Sequence, residues 1–370
     1  MKNTADRIKD INLSEIRKMF ENASPDAISL AIGEPDFDTP PHIINALKKA
    51  LDNKQTHYAH NKGLIELREA IQNKLKKDNN IKTDSESILV TVGASQALYS
   101  SIQALINKGD EVIIPDPGFL SYQACVKLAE GTPISTDSTP DNNFNITTDK
   151  IEDKITPKTK AIVLNSPSNP TGTVIKKEDI KGISDLATDN DLYIITDEIY
   201  ENIIYDKKHY SVASFTDNAI TINGFSKSYA MTGLRIGYLA APPEITEDIL
   251  KVHQYNIASV DTPTQYAALE ALNGSQQCVI DMVNEFRKRR DYVVERLNNM
   301  GLTCKIPDGA FYIFLKVKNT QEFLNKASKE GVLVVSGKAF GKNAEDYIRI
   351  SYATSIENLK IAMDRLEKIV

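Results

Sequence analysis

Cysteine is scarce. The 370 residues hold only Cys125, Cys278 and Cys304, odd in number, far apart and never in a CxxC pair. That spacing speaks against a disulfide framework or a zinc site, and no other metal centre is expected; it fits a reducing, cytoplasmic compartment. Long apolar runs are missing too: none approaches the ~18 residues that a membrane span needs. The opening "MKNTADRIKDINLSEIRKMF" is interrupted by charge every few positions and lacks the apolar core of a secretory signal. An excess of one charge is absent as well. There are 44 basic and 50 acidic residues, a net charge of −6, and long basic blocks are rare, so nothing points to nucleic acid. No repeat or low-complexity tract stands out. What is present is ordinary for a soluble globular protein: 41% hydrophobic and 25% charged residues.

A chain of 370 residues exceeds what one core usually serves. From about 85 to 240, short apolar runs alternate with helical patterns. "SILVTV" (87–92), "EVIIP" (111–115), "AIVLN" (161–165), "LYIIT" (192–196), "AITIN" (219–223) and "RIGYLAA" (235–241) read as strands. Helices are expected over 95–106, over 120–130 with Gly131 as C-cap, and over 177–189. Non-alternating strands separated by helices argue for a mostly parallel sheet covered on both faces. After 275 a long charged helix (276–299) precedes "AFYIFLKV" (310–317), a helix, "VLVV" (332–335), "YIRISYA" (347–353) and a last helix. The expected division is a large domain over 41–275, a smaller α+β domain over 276–370, and residues 1–40 packing with the latter. The opening segment has an amphipathic side of Ile8, Ile11, Leu13, Ile16, Met19 and Phe20.

In an open α/β sheet, ligands bind at the carboxyl ends of the strands. The segments just past the expected strands are "GAS" (93–95), "SPSNPTG" (166–172), "DEIY" (197–200) and "GFSK" (224–227). Gly93 lets backbone approach closely and opens a helix whose N–H groups favour an anion; a plain tight turn is the alternative. Lys227 is either a solvated loop lysine or a desolvated amine able to attack a carbonyl. Arg235, eight residues on, suits a phosphate or a structural ion pair, and Ser226 adds a hydroxyl. Asp197 ends an apolar strand and needs a cationic partner; a protonated pyridine nitrogen qualifies, as does a salt bridge or a helix cap. Tyr200 and Asn169 can donate to a phenolic oxygen, although Asn169 could simply start a turn. Phe119 could stack on a ring or sit in the core. Together these groups match one cofactor, pyridoxal 5′-phosphate (PLP).

In these motifs the sequence resembles the class I/II aminotransferases of the fold-type I PLP enzymes. The resemblance runs from "LAIGEPDFDTP" (30–40) through "YAHNKGLIELREAI" (58–71), "EVIIPDPGFLSY" (111–122), "NSPSNPTG" (165–172), "TDEIY" (196–200) and "SKSYAMTGLRIGY" (226–238) to "YIRISYATSIENL" (347–359). It implies an α/β fold with a seven-stranded, mostly parallel sheet flanked by helices, plus the smaller domain. It implies that Lys227 binds the cofactor covalently and carries protons, and that Asp197 pairs with the ring nitrogen. Asn169 and Tyr200 would hold the phenolic oxygen, and Phe119 would stack on the ring. Gly93, Ala94, Ser95, Ser226 and Arg235 would hold the phosphate, with Tyr58 reaching the phosphate of a second subunit in a homodimer. Arg349 and the Gly33 N–H would bind the substrate carboxylate; by pattern alone these are a strand residue and a turn glycine.

The implied reaction is ping-pong transfer of an amino group from an L-amino acid, of aspartate or aromatic type, to a 2-oxo acid such as 2-oxoglutarate. There are departures from the family pattern. Gly224 stands where many relatives carry serine or threonine, and Ser95 where some aspartate-selective members carry lysine. "IIPDPGFLSY" is closer to members that accept aromatic amino acids. β-Elimination at a C–S bond is the rival chemistry. A ligand-binding regulator on the same fold is the rival class; some 30 residues ahead of "GEPDF" are too few for its DNA-binding domain.

Overall fold

The computed structural model describes residues 4–11 and 26–370. Leu13, Ile16, Met19 and Phe20 of the expected amphipathic segment lie outside them, and Asp6–Ile8 forms a single 3₁₀ turn with Ile8 half exposed.

A seven-stranded sheet is the centre of the molecule. Its strands are β2 (Ile88–Thr91), β3 (Glu111–Ile114), β4 (Thr132–Ser135), β5 (Thr159–Asn165), β6 (Tyr193–Asp197), β7 (Ala219–Gly224) and β8 (Gly237–Ala240). They lie in the order β2-β8-β7-β6-β5-β3-β4. β8 runs antiparallel to both neighbours, and the remaining pairs are parallel. Every residue of β2, β7 and β8 is buried, as expected for strands covered on two faces. Successive residues point to opposite sides. Leu89, Val163 and Ile195 pack with Ala97, Leu98, Ile102 and Val126 of the helices Gly93–Leu105 and Ser121–Leu128. On the other side, Ile162 and Ile194 meet Ile180 and Ile183 of the helix Lys177–Asp189. Ile88 and Val90 meet Leu67 and Ile71 of the helix Ile65–Asp78. Each such fully buried side chain contributes about 1.5–3 kcal/mol.

β4 is an edge strand that the sequence pattern missed. Its residues are exposed or half buried, and Pro133, which has no N–H, interrupts any apolar run. The helix over 121–128 ends differently from expectation. Glu130 takes the left-handed conformation (φ 60°), not Gly131. A Cβ on Gly131 would stand 2.6 Å from the side chain of Ile106, so close approach is what needs glycine there.

The C-terminal elements form a second set. The helix Gln277–Asn299 packs Phe286, Val293 and Leu297 against Phe311, Ile313, Ile348 and Ile350. β9 (Tyr312–Lys316), β11 (Val335–Ser336) and β12 (Tyr347–Ser351) make an antiparallel sheet in the order β11-β12-β9. β10 (Val332–Leu333) pairs with β1 (Ile28–Ser29) in parallel. "VLVV" is therefore two short strands in two sheets rather than one, because Val334 separates residues that pair in different directions. Leu30 continues the link: its N–H donates to Leu333, and its carbonyl accepts from Ser351. Ile199, Tyr200 and Ile203, just beyond β6, share the core of these elements. The carboxyl ends of the large sheet thus meet the segment 28–34 and the β9–β12 layer.

Candidate active site

The site begins with buried charge. β6 ends at Asp197, whose side chain sits beside the start of the helix Ser121–Leu128. Tyr122 donates its phenolic hydrogen to Asp197 Oδ2 at 2.8 Å, and the Ile199 N–H donates to Oδ1 at 3.2 Å. Burial pushes the Asp197 carboxyl up to about 6, against the pull of those two donors; Glu198 adds to the rise and Lys227 opposes it. Lys227 lies beyond the end of β7. Its Nζ donates to the Gly33 carbonyl at 2.6 Å. Burial lowers its pKa to about 8, with Glu34 opposing and Arg235 and Arg349 assisting. The two groups feel one another's charge, and burial brings the pKa of each towards neutral pH, where proton transfer needs a poised acid or base.

The loop after β5 closes one wall. Asn165 donates to the Asp197 carbonyl at 2.9 Å and accepts the Asn169 N–H at 2.8 Å, which ties "SPSNP" to the end of β6. Arg349 comes from β12. One of its terminal nitrogens donates to Asn169 Oδ1 at 2.8 Å and the other to the Ala31 carbonyl at 2.6 Å. Arginine only donates, so this fixes which end of the Asn169 amide faces it. The guanidinium carbon stands 4.4 Å from the Tyr312 ring centre and 4.8 Å from that of Phe340. Arg349 is 2% exposed, and its Nε has no hydrogen-bond partner among the described residues. A buried donor without a partner, on a rigidly held cation, is suited to a planar anion. Tyr312 and Tyr200 share a hydrogen bond between their hydroxyls at 2.7 Å. A Cβ on Gly33 would collide with the Tyr312 hydroxyl, so only glycine lets the chain pass there.

An anion seat lies at the end of β2. Gly93 (φ 73°) opens the helix Gly93–Leu105, which has no side-chain cap. Arg235, itself at φ 51°, packs against the glycine: a Cβ on Gly93 would be 2.6 Å from Arg235 Nη2. Arg235 Nη1 donates to the Thr232 carbonyl at 3.1 Å. Helix N–H groups and a guanidinium converge on one point, which favours phosphate. Gly237 supports the seat, since a Cβ there would meet Ala94 N at 2.7 Å.

The structure brings Lys227, Asp197, Asn169, Tyr200, Arg349 and Gly33 into one network, with Arg235 and Gly93 at the neighbouring turn. Phe119 is half buried and makes an edge contact with Tyr122, ring centres 5.8 Å apart. Ala94 and Ser95 occupy the first turn of the helix, and Ser226 is buried beside Lys227. Tyr58 is 89% exposed and joins none of this network. The Gly33 group seen in contact is its carbonyl. Gly224 pairs with Gly237 across β7 and β8, and a Cβ on it would stand 3.0 Å from the Gly237 Cα, so the strands close only over glycine. Tyr122 and Tyr312 were missed by sequence reasoning. The available signal was that a buried tyrosine needs a partner for its hydroxyl.

These features fit PLP: a buried acid for the ring nitrogen, a poised amine, an uncapped helix start with an arginine for the phosphate, and a bound arginine with a spare donor for a carboxylate. They define a pyridoxal-phosphate enzyme on a seven-stranded α/β sheet. The sequence matches the family Aminotransferase class I and II over residues 25–366, and the chain belongs to that family. It is a PLP-dependent aminotransferase. It is 51% identical over 372 residues to a probable aspartate aminotransferase of Methanocaldococcus jannaschii, covering 98% of both chains. It is 46% identical to aromatic-amino-acid aminotransferase 2 of Thermococcus litoralis, over 99% of this chain and 98% of that one. The solved structure of Thermus thermophilus aspartate aminotransferase with maleate superposes with a TM-score of 0.94 at 35% identity, over 100% of both chains. Among the described residues, no helix is long and apolar enough to cross a membrane.

Proposed function

We propose that the chain transfers amino groups from aspartate and aromatic L-amino acids to 2-oxoglutarate by two half-reactions at one site. The observation that carries the reading is Arg349: a buried guanidinium, fixed by Asn169, Ala31 and two aromatic rings, with its Nε unpartnered and further N–H groups to spare on its terminal nitrogens. Aspartate and aromatic donors are supported by the names of the relatives, and the half-buried Phe119 ring lies beside Tyr122, the hydrogen-bond partner of Asp197.

PLP supplies the electron sink when bound. Arg349 holds the α-carboxylate in two parallel hydrogen bonds, assisted by the Gly33 N–H. The Lys227 amine, brought by burial to a pKa of about 8 and so about half neutral at that pH, would take the α-proton and hold it at Nζ for return to the substrate–cofactor pair. Asp197 would pair with the ring nitrogen and favour its charged form; Tyr122 keeps the carboxylate oriented. Asn169 and Tyr200 would hold the phenolic oxygen, Phe119 would cover the ring face, and Gly93, Ala94, Ser95, Ser226 and Arg235 would hold the phosphate. Exposed Tyr58 completes the phosphate site of a second subunit in a homodimer. Residues 26–40 and 276–370 group as a small domain that closes on 41–275 and excludes water, a grouping supported by the pairing of β1 with β10; the turn Asp6–Ile8, in contrast, lies against the helix Ser121–Leu128 of the large domain. Three unpaired cysteines favour the cytoplasm.

The test is a panel of L-amino acids mixed one at a time with the holoenzyme, followed by the visible absorbance of the cofactor. Aspartate, tyrosine and phenylalanine should each convert it, and 2-oxoglutarate should restore it. Lys227→Ala should lose the covalent absorbance and lower turnover by roughly 10²–10⁴-fold. An unchanged spectrum in Lys227→Ala would refute the assignment.

A further inference from the structure

Behind Asp197, on the opposite side of the strand ends, lies a second buried set of charges that transamination does not use. Glu198 comes directly after Asp197 and turns the other way. Its side chain is 0% exposed and faces His209, Nε2 to Oε2 3.0 Å, with the imidazole 10% exposed. Thr196 Oγ1 donates to Glu198 Oε1 at 3.2 Å, and the Val212 N–H to the same oxygen at 3.4 Å. Ser211 donates to Glu198 Oε2. Glu201, 5% exposed, is paired with Lys74, 10% exposed, which reaches in from the helix Ile65–Asp78. Asn79 joins the halves. It accepts from Lys74 at 2.6 Å and donates to Ser211 at 2.7 Å and to Glu201.

The network ends on the strand that leads to the lysine. Asn223 of β7 donates to Glu201 Oε1 at 2.6 Å, and its own Oδ1 accepts the Gly224 N–H at 2.7 Å. Three residues later comes Lys227. One brace therefore holds the end of β6, with Asp197, and the end of β7, before Lys227. Its charges also balance. Glu198 and Glu201 are the acids. Lys74 and His209 are the bases that face them, from the helix ending at 78 and from the loop at 209–211. Burial opposes a charged imidazole, but the Glu198 carboxylate and its hydrogen bond, with Glu201, outweigh it and hold His209 above its ordinary range. Burial likewise opposes the Glu201 charge, and Lys74 and His209 outweigh that too. On the far side of the strand, the groups facing Asp197 are Tyr122 and Lys227.

We propose that this buried brace of Lys74, Glu201, Asn79, Glu198 and His209 is a positioning device for the catalytic pair. It sets the separation of the strand ends that carry Asp197 and Lys227, and it cancels the negative charge that Glu198 would otherwise impose on the site. The inference rests on the function proposed above. His209 and Glu198 are positioning residues: neither touches the reacting atoms. A buried charge left without its partner is felt over a distance, because little water screens it.

The experiment is a charge-compensation cycle on the holoenzyme: His209→Asn, Glu198→Gln and the double variant. The readout is the pH midpoint at which the visible absorbance of the bound cofactor titrates. His209→Asn leaves an uncompensated negative charge, which favours protonated forms, so the midpoint rises by about half a pH unit or more. Glu198→Gln also removes the charge that keeps His209 protonated, so no net charge is left behind and the midpoint stays near that of wild type, as it does in the double variant. The acid limb of kcat/KM moves with the midpoint. Equal midpoints in all four proteins, with only melting temperatures lowered, would overturn the proposal, since mere structural damage has no reason to reverse in the double variant. If His209→Asn fails to fold, Lys74→Met decides, since it leaves Glu201 without its partner: a midpoint that does not rise ends the idea. If the wild type shows no visible absorbance at all, the failure lies with the underlying function and not with the brace.

Discussion

Tyr122 shows how much one hydroxyl can control. It is buried, its phenol is held far above the usual range by desolvation and by the neighbouring Asp197 charge, and its one hydrogen bond goes to that carboxylate. It therefore acts as a fixed neutral donor that favours ionised Asp197. Tyr122→Phe removes the donor and keeps the ring. The pKa of Asp197 then rises, so the ionised form needed against the ring nitrogen is lost at a higher pH as the solution is acidified. One hydrogen bond to a charged group is worth about 1.5 kcal/mol, so kcat/KM near pH 6 should fall on the order of tenfold. The loss should shrink towards pH 8. A pH–rate profile checks this, and an acid limb identical to wild type would contradict the role. Tyr312 works at the same scale. Its ring carries Arg349 and its hydroxyl meets Tyr200, so one side chain touches both the carboxylate end and the cofactor end of the site.

The turn from β2 into the helix Gly93–Leu105 is the smallest element with a function of its own. Gly93 has φ 73°, and a Cβ would collide with the Arg235 guanidinium at 2.6 Å. Gly93→Ala must strain the turn or displace the arginine, at roughly 1–3 kcal/mol. PLP affinity, measured by titrating cofactor into stripped protein, should weaken by about 10- to 100-fold, and inorganic phosphate should protect the variant less against heat. Unchanged affinity would show that the seat lies elsewhere. This element was legible in the sequence because a buried strand, a glycine and an amphipathic helix succeed one another within the 87–106 stretch. Asp197 and Lys227 were legible for a related reason, since polar groups at or just past the ends of buried strands have few roles other than binding; Arg235, which precedes β8, was legible from its spacing to Lys227. The short strands were not. β4 breaks the apolar pattern with Pro133, and "VLVV" conceals a change of partner that no local periodicity records. Tyr122 and Tyr312 stayed hidden because their meaning depends on contacts 75 and 112 residues away.

The whole molecule bears the energetic consequence of holding these groups out of water. A lysine in the unfolded chain titrates near 10.5, whereas burial brings Lys227 to about 8 in the fold. Between those values the unfolded chain binds more protons, so the contribution of Lys227 to stability improves as pH rises from 8 to 10.5. Below 8 both states hold the proton and the full penalty is present. Asp197 adds its own: its pKa, raised from 3.8 to about 6, makes the folded state lose stability across that interval as pH rises. At neutral pH the protein stripped of cofactor therefore carries both penalties, reduced by the attraction between the two charges. Lys227→Met keeps the side-chain volume and removes the charge. Stripped Lys227→Met should be more stable than stripped wild type near pH 7, by on the order of 1–3 kcal/mol. The gap should close as pH approaches that of free lysine. With PLP present the order should invert, because only the wild type gains the covalent ligand. Denaturant titrations of both stripped proteins at several pH values measure this. If the methionine variant is equally or less stable near pH 7, then Lys227 is not held out of water, and the neutral amine on which proton transfer depends is not built into the fold.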